Sequence, residues 1–323
     1  MKLYYLFKLL RPVNLVIIAV SMFALRYLIL LPLLSIKGIP LIISRFDFSL
    51  LVAGTLFIAG AGNIINDYFD IRPDRLNKHH ELIVGKYIKR RVAMSSHVIL
   101  STLGFFISAY VAIKYKIPWM LFFQIIAITM LWLYSASFKK TFILGNLIVA
   151  FLTACIPLLV ISFDIPAIFQ SEGYSLPYLN APFGGFKVVI YFTLVYAGFA
   201  FLLNLIREII KDMADMKGDK EINARTMPLE LGVNATRKII NSLSLFTILL
   251  LIYIQQSFMP DKITSIYLLI FIITPMIIGV YKLKAAKKST QFLKASNFIK
   301  ITMAGGLMYL FLFNYLITNH FIL

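Results

Sequence analysis

The chain has 323 residues, of which 60% are hydrophobic, and a mean hydropathy of +0.85. So few polar side chains do not cover a soluble domain, and the composition predicts an all-α integral membrane protein, 1–323, as a single transmembrane domain. The net charge of +18 is distributed by loop rather than gathered on one face, which argues against nucleic acid as the partner and for a lipid bilayer.

A helix crosses a bilayer core in about 20 apolar residues. Windows of that kind predict nine spans, at 12–34, 48–66, 93–113, 118–137, 142–163, 187–209, 237–256, 263–282 and 294–319. The first follows Lys2, Lys8 and Arg11, but its apolar run is too long for a signal peptide and lacks a small-residue cleavage site, so it is expected to be retained. Cys155 lies within the fifth span and reads as a packing residue. Lys294 and Lys300 set the start of the ninth span inward.

The basic residues alternate with the loops. With the N-terminus inside, the inner loops carry Lys78, Lys86, Lys89, Arg90 and Arg91, then Lys139 and Lys140, then Lys211 through Lys238, then Lys282, Lys284, Lys287 and Lys288. The outer loops carry Lys37 and Arg45, Lys114 and Lys116, and Lys262, with nothing basic from Asp164 to Gly185. The positive-inside rule therefore places the protein in the cytoplasmic membrane with its N-terminus in and its C-terminus out.

The acids are concentrated. Of 14 Asp and Glu, Asp67, Asp70, Asp74 and Glu81 fall in one inner loop, and Glu208, Asp212, Asp215, Asp219, Glu221 and Glu230 in and beside another. Asp67, Asp70, Asp74 and Asp212, Asp215, Asp219 share the spacing D-x-x-D-x-x-x-D at the inner ends of the second and sixth spans, which predicts two pseudo-repeated halves with one motif each. Pro73 disfavours helix at Arg72 and Gly218 loosens the chain before Asp219, so the first two carboxylates of each set are expected on a helix end and the third in a loop. Clustered like charges at helix C-termini require a cation, and oxygen-only ligands suit Mg²⁺. Two such sets facing each other would hold two Mg²⁺ ions bridged by a diphosphate, whose own charge suits the interleaved Arg75, Lys78, Lys86, Arg207, Lys211, Lys217, Lys220 and Arg225.

At these residues the chain resembles the UbiA-type membrane prenyltransferases. The resemblance rests on Asn66-Asp-Tyr-Phe-Asp-Ile-Arg-Pro-Asp74 with Arg75 and Asn77-Lys78, on Leu133-Tyr-Ser135, and on Arg207-Glu-Ile-Ile-Lys-Asp212 continuing through Asp215, Gly218-Asp219 and Arg225-Thr226. It implies a ring of helices around a central cavity and transfer of a polyprenyl group from its diphosphate to a small acceptor. It also implies that Asn66, Asp67, Asp70, Asp74, Asp212, Asp215 and Asp219 hold Mg²⁺ and diphosphate, that Lys78, Arg207 and Lys211 contact the diphosphate, and that Tyr134 lies near the ionising allylic carbon. The chain departs from the pattern at His79-His80-Glu81-Leu82, where many relatives carry an arginine and two prolines, which bears on the rigidity of that loop and its phosphate grip.

The second motif resembles the branch that makes digeranylgeranylglyceryl phosphate, and the surplus cations Lys139, Lys140 and Arg225 suit an acceptor with its own phosphate. An aromatic quinone precursor is the alternative acceptor. A transporter or Mg²⁺ channel is the alternative of another class, because charges beside membrane helices often mark ion paths. Transport sites usually lie near the bilayer midplane, whereas both motifs are expected at span ends. A relative that has lost activity through the His79–Leu82 change is the third reading.

Overall fold

The computed structural model describes residues 2–36, 38–77, 82–172 and 185–319. Its described residues are helical, joined by short turns, with one isolated bridge between Val84 and Ile88. Nine helices among them are long and apolar enough to cross a membrane, at the nine predicted places. Large apolar side chains such as Val13, Phe106, Phe122, Leu249 and Tyr253 stay exposed along these helices, as lipid-facing surfaces require.

In chain order, α1 is Lys2–Leu9, α2 Pro12–Ser35, α3 Arg45–Phe69, α4 Ile71–Asn77, α5 Arg90–Lys114, α6 Leu121–Ala136 and α7 Leu144–Glu172. Then come α8 Gly185–Glu221, α9 Met227–Glu230, α10 Gly232–Phe258, α11 Lys262–Ala285 and α12 Ser289–Thr318. The chain divides into two compact units, Met1–Phe138 with Cys155–Leu194, and Lys139–Ala154 with Val195–Leu323. Each therefore draws on two separate stretches instead of one sequential half.

In the first unit, Ser44 caps α3 by accepting the Asp47 N–H at 3.0 Å, and Asp47 itself suits the positive end of the helix. The backbones of α3 and α5 meet at a reciprocal glycine pair. A Cβ on Gly54 would stand 2.9 Å from the Gly104 carbonyl oxygen, and one on Gly104 would stand 2.7 Å from that of Gly54. Such close approach is how membrane helices gain packing where lipid tails are as apolar as leucine. Arg26, within a π-helical turn of α2, donates from Nε and Nη2 to both carboxylate oxygens of Asp164 at 2.9 and 2.8 Å and lies over the Phe48 ring at 4.3 Å. Both members are fully buried, and a charge at that depth persists only when paired in this way.

In the second unit, Leu203, Ile206, Ile210 and Met213 of α8 pack with Ile240 of α10, Met276 and Leu283 of α11, and Phe292 and Ile299 of α12. This packing carries α8 past its predicted end. The helix has 37 residues, about 55 Å at 1.5 Å per residue, against about 30 Å of hydrocarbon. Gly218 does not interrupt it, because one helical glycine costs only about 1 kcal/mol and Gly218 and Asp219 are themselves buried. The stop comes at Asn223, whose φ of 51° is left-handed, with the Ala224 N–H returning to the Asp219 carbonyl at 3.0 Å. In the same way α12 starts at Ser289, five residues before its predicted edge, despite Lys294.

Candidate active site

Motif one sits where α3 ends. Pro73 has no N–H, and its ring would clash with the carbonyl four residues back, so α3 stops at Phe69 and Asp70 takes the capping position with φ −82° and ψ 4°. The helix restarts at once as α4, with Pro73 in its first turn, where the missing N–H costs nothing, and the Asp74 N–H bonded to the Asp70 carbonyl at 2.9 Å. Asp74 is thus held on a short helix, which corrects the expectation of a loop.

Around this junction, Asn66 Nδ2 donates to Asp70 Oδ2 at 2.8 Å. The other amide atom, Asn66 Oδ1, is buried and accepts no hydrogen bond. Arg11 Nη2 donates to Asp67 Oδ1 at 2.5 Å, reaching 56 residues along the chain from the turn between α1 and α2, where its backbone is left-handed at φ 54°. Burial works against the Arg11 charge, but Asp67, Asp70 and Tyr134 outweigh it and hold its pKa above the ordinary value. That shared influence gathers two motif carboxylates, Tyr134 on the last turn of α6 and Arg11 into one neighbourhood. Phe69 meets Trp132 edge to face at 5.9 Å, and His97 packs on Trp132 at 5.3 Å while its Nδ1 donates to the Ala61 carbonyl at 2.9 Å. The stretch leading into α5 is anchored too, since Ile83, Val84 and Ile88 pack with Leu9 and Ile64. Lys78, His79, His80 and Glu81 lie outside the described residues.

Motif two lies along α8, with helix continuing for two residues beyond Asp219. None of its three aspartates is in a loop, and Asp212 and Asp215 are not at a helix end, which corrects that expectation as well. Asn146 Nδ2 donates to Asp212 Oδ2 at 2.8 Å across 66 residues, and Asp212 lies within electrostatic reach of Glu208, Lys211 and Asp219. One turn earlier, Glu208 accepts Arg207 Nη1 on Oε1 and Lys211 Nζ on Oε2, the latter at 2.8 Å. Arg207 Nη1 also reaches Asn204 Oδ1 at 3.3 Å, and Asn204 Nδ2 donates to Thr153 Oγ1 at 2.9 Å. Arg225 on the following turn is exposed, with its N–H on the Lys140 carbonyl at 2.8 Å.

Each unit therefore assembles carboxylates, an amide and cations around its own motif. Among the described residues no three Asp, Glu, His or Cys side chains converge into a cage for a metal ion. Mg²⁺ rarely uses such cages, taking one or two carboxylates and completing its shell with water and substrate phosphates. The orphaned Asn66 Oδ1 beside Asp70 is a hard oxygen lacking a partner, and it fits such an ion. Sequence reasoning passed over Arg11, Asn146 and the role of Glu208. Arg11 and Glu208 carried a weak signal, as the one arginine beside the first span and an acid between two cations, whereas an asparagine at 146 carried none.

Residues 33–304 match the UbiA prenyltransferase family. A digeranylgeranylglyceryl phosphate synthase from Methanosphaera stadtmanae is 31% identical over 264 residues, covering 78% of this chain and 84% of that protein. A solved structure of a digeranylgeranylglyceryl phosphate synthase superposes with a TM-score of 0.58 at 24% identity, covering 96% of this chain and 97% of the other. The structure of a UbiA homolog from Archaeoglobus fulgidus bound to DMAPP and Mg²⁺ superposes with a TM-score of 0.54 at 21% identity, covering 93% and 98%.

Proposed function

Because the chain belongs to the UbiA prenyltransferase family, we propose that it transfers a geranylgeranyl group from geranylgeranyl diphosphate to the free hydroxyl of geranylgeranylglyceryl phosphate, with Mg²⁺ as cofactor. The duplicated aspartate motif carries the reading, since each copy is set on helix beside its own cations. The name shared by the relatives supports the acceptor, and the Mg²⁺ and DMAPP bound by the Archaeoglobus fulgidus homolog support the cofactor and donor class. The family match crosses both compact units, which supports one functional domain over 1–323. Family membership also answers the transporter alternative in favour of an enzyme.

In this reading Asn66, Asp67, Asp70 and Asp74, with Asp212, Asp215 and Asp219, hold the metal and diphosphate. Bound Mg²⁺ supplies electrostatic stabilisation of negative charge on the departing pyrophosphate. Arg207, Lys211 and Lys78 share that charge, and Arg11 orients Asp67. The Tyr134 ring offers its electron-rich face to the allylic cation. The carbon–oxygen bond to diphosphate breaks, the acceptor hydroxyl forms the ether bond to the same carbon, and its proton leaves to solvent or to pyrophosphate. The charge asymmetry of the loops supports catalysis at the cytoplasmic face with the N-terminus inside.

Purified protein with geranylgeranyl diphosphate and Mg²⁺, offered geranylgeranylglyceryl phosphate, hydroxybenzoate and dihydroxynaphthoate side by side, should prenylate the glyceryl phosphate fastest. Faster turnover of either aromatic acid would overturn the acceptor assignment.

A further inference from the structure

Glu208 stands outside the aspartate motif, yet it is bonded to two cations. Its side chain is only 8% exposed, and each carboxylate oxygen holds one cation, Arg207 on Oε1 and Lys211 on Oε2. Arg207 and Lys211 are four residues apart on one helix face, where two positive charges repel. Only a counter-charge placed between them keeps both in the same orientation.

These bonds engage one Arg207 terminal nitrogen and one Lys211 proton, so a guanidinium with five N–H groups and an ammonium with three retain donors for a second anion. Two further cations join them from other elements of the same unit. Lys139, just before α7, and Lys300 of α12 both lie within electrostatic reach of Glu208. Lys300 stands eleven residues into an apolar membrane helix and is exposed there, an expensive place for an ammonium that faces nothing polar. Its field acts on Arg207 and Glu208, which gives that charge its reason. Glu208 takes the two bonded cations, and its acidic neighbour Asp212 is held by the Asn146 amide, so the four cations still outnumber the carboxylates they face, Glu208 and Asp212.

We propose that Glu208 is a positioning residue that assembles Arg207, Lys211, Lys139 and Lys300 into a subsite for a phosphate oxyanion. The inference rests on the prenyl-transfer reading above, which brings two such anions, the donor's diphosphate and the acceptor's phosphate monoester. Removing Glu208 weakens the subsite even though it removes a negative charge. A buried cation stripped of its partner turns away to water, and the grip on the anion goes with it.

The test uses full-length protein in proteoliposomes, with KM for geranylgeranyl diphosphate and for the glyceryl phosphate acceptor measured separately. Glu208→Gln should raise one of them about tenfold, the scale of one lost charged hydrogen bond, with a smaller change in kcat. Glu208→Asp should recover part of the loss. Lys300→Gln, at an exposed position that spares the fold, should raise the same KM by about threefold. The KM that moves identifies the anion. If both stay within error in Glu208→Gln and Lys300→Gln, or only kcat falls, the subsite is refuted. Calorimetric titration of wild type and Glu208→Gln with inorganic pyrophosphate and inorganic phosphate is independent of turnover. Weaker binding by the variant supports the subsite even if the acceptor assignment fails, and equal binding removes it.

Discussion

The two aspartate motifs have the same spacing and opposite backbones. In the first, the residue before the last aspartate is Pro73, and the chain divides into α3 and α4 with Asp70 at the junction. In the second, the corresponding residue is Gly218, and α8 runs through it without a break. Proline forbids the hydrogen bond that would continue a helix, while glycine only makes it less favourable, and buried neighbours such as Met213 and Ala214 make good the difference. Equal spacing thus presents carboxylates from a helix junction in one unit and from a rigid helix face in the other.

The support differs as well. Motif one is latched by Arg11, which reaches it from the turn before the first span, and motif two by Asn146 and the Glu208 network. The resemblance therefore lies in the chemistry presented, while the scaffolding of each copy is its own.

The comparison breaks most sharply if only one motif is needed. Asp67→Asn and Asp215→Asn are each expected to cut pyrophosphate release at least about a hundredfold, the usual cost of removing transition-state charge stabilisation, with the protein still folded in the membrane. Full activity in either variant, or in wild type treated with EDTA, would show that the two copies are not equivalent partners.

Exchanging the residues that set the two backbones should come next. Gly218→Pro places proline inside α8 at a cost of about 3 kcal/mol and swings Asp219 away from Asp215, so turnover should fall by about two orders of magnitude with a lower melting temperature. Pro73→Gly removes the constraint at a junction already formed and should cost no more than about tenfold. Equal losses would mean that helix continuity at the second motif does not matter.

Asn66→Ala sharpens the comparison on the metal side. Removing the orphaned Oδ1 together with the donor to Asp70 should raise the Mg²⁺ concentration for half-maximal pyrophosphate release by about tenfold, within the range for lost supporting ligands. An unchanged Mg²⁺ titration would take this amide out of the site.

The smallest effect is a geometric one. In a Cys155→Ser background, cysteines at the exposed positions Arg72 and Lys220 should label only after permeabilisation and one at Pro260 from outside. Opposite labelling of the first two positions would put the motifs on different faces and end the comparison.

By itself the sequence determined the nine apolar spans, the duplicated carboxylate spacing and the family, because hydropathy and motif spacing are properties of contiguous residues. Where the expectation failed, at Asp74 and Asp219 and at the ends of α8 and α12, it weighed a local breaker without the packing around it. The tertiary structure alone decided which distant partners meet the charged groups: Arg11 with Asp67, Asn146 with Asp212, and Arg26 with Asp164 across 138 residues. Such pairs leave no mark in a single sequence, since a buried charge chooses its partner by proximity in the fold and by the cost of standing alone.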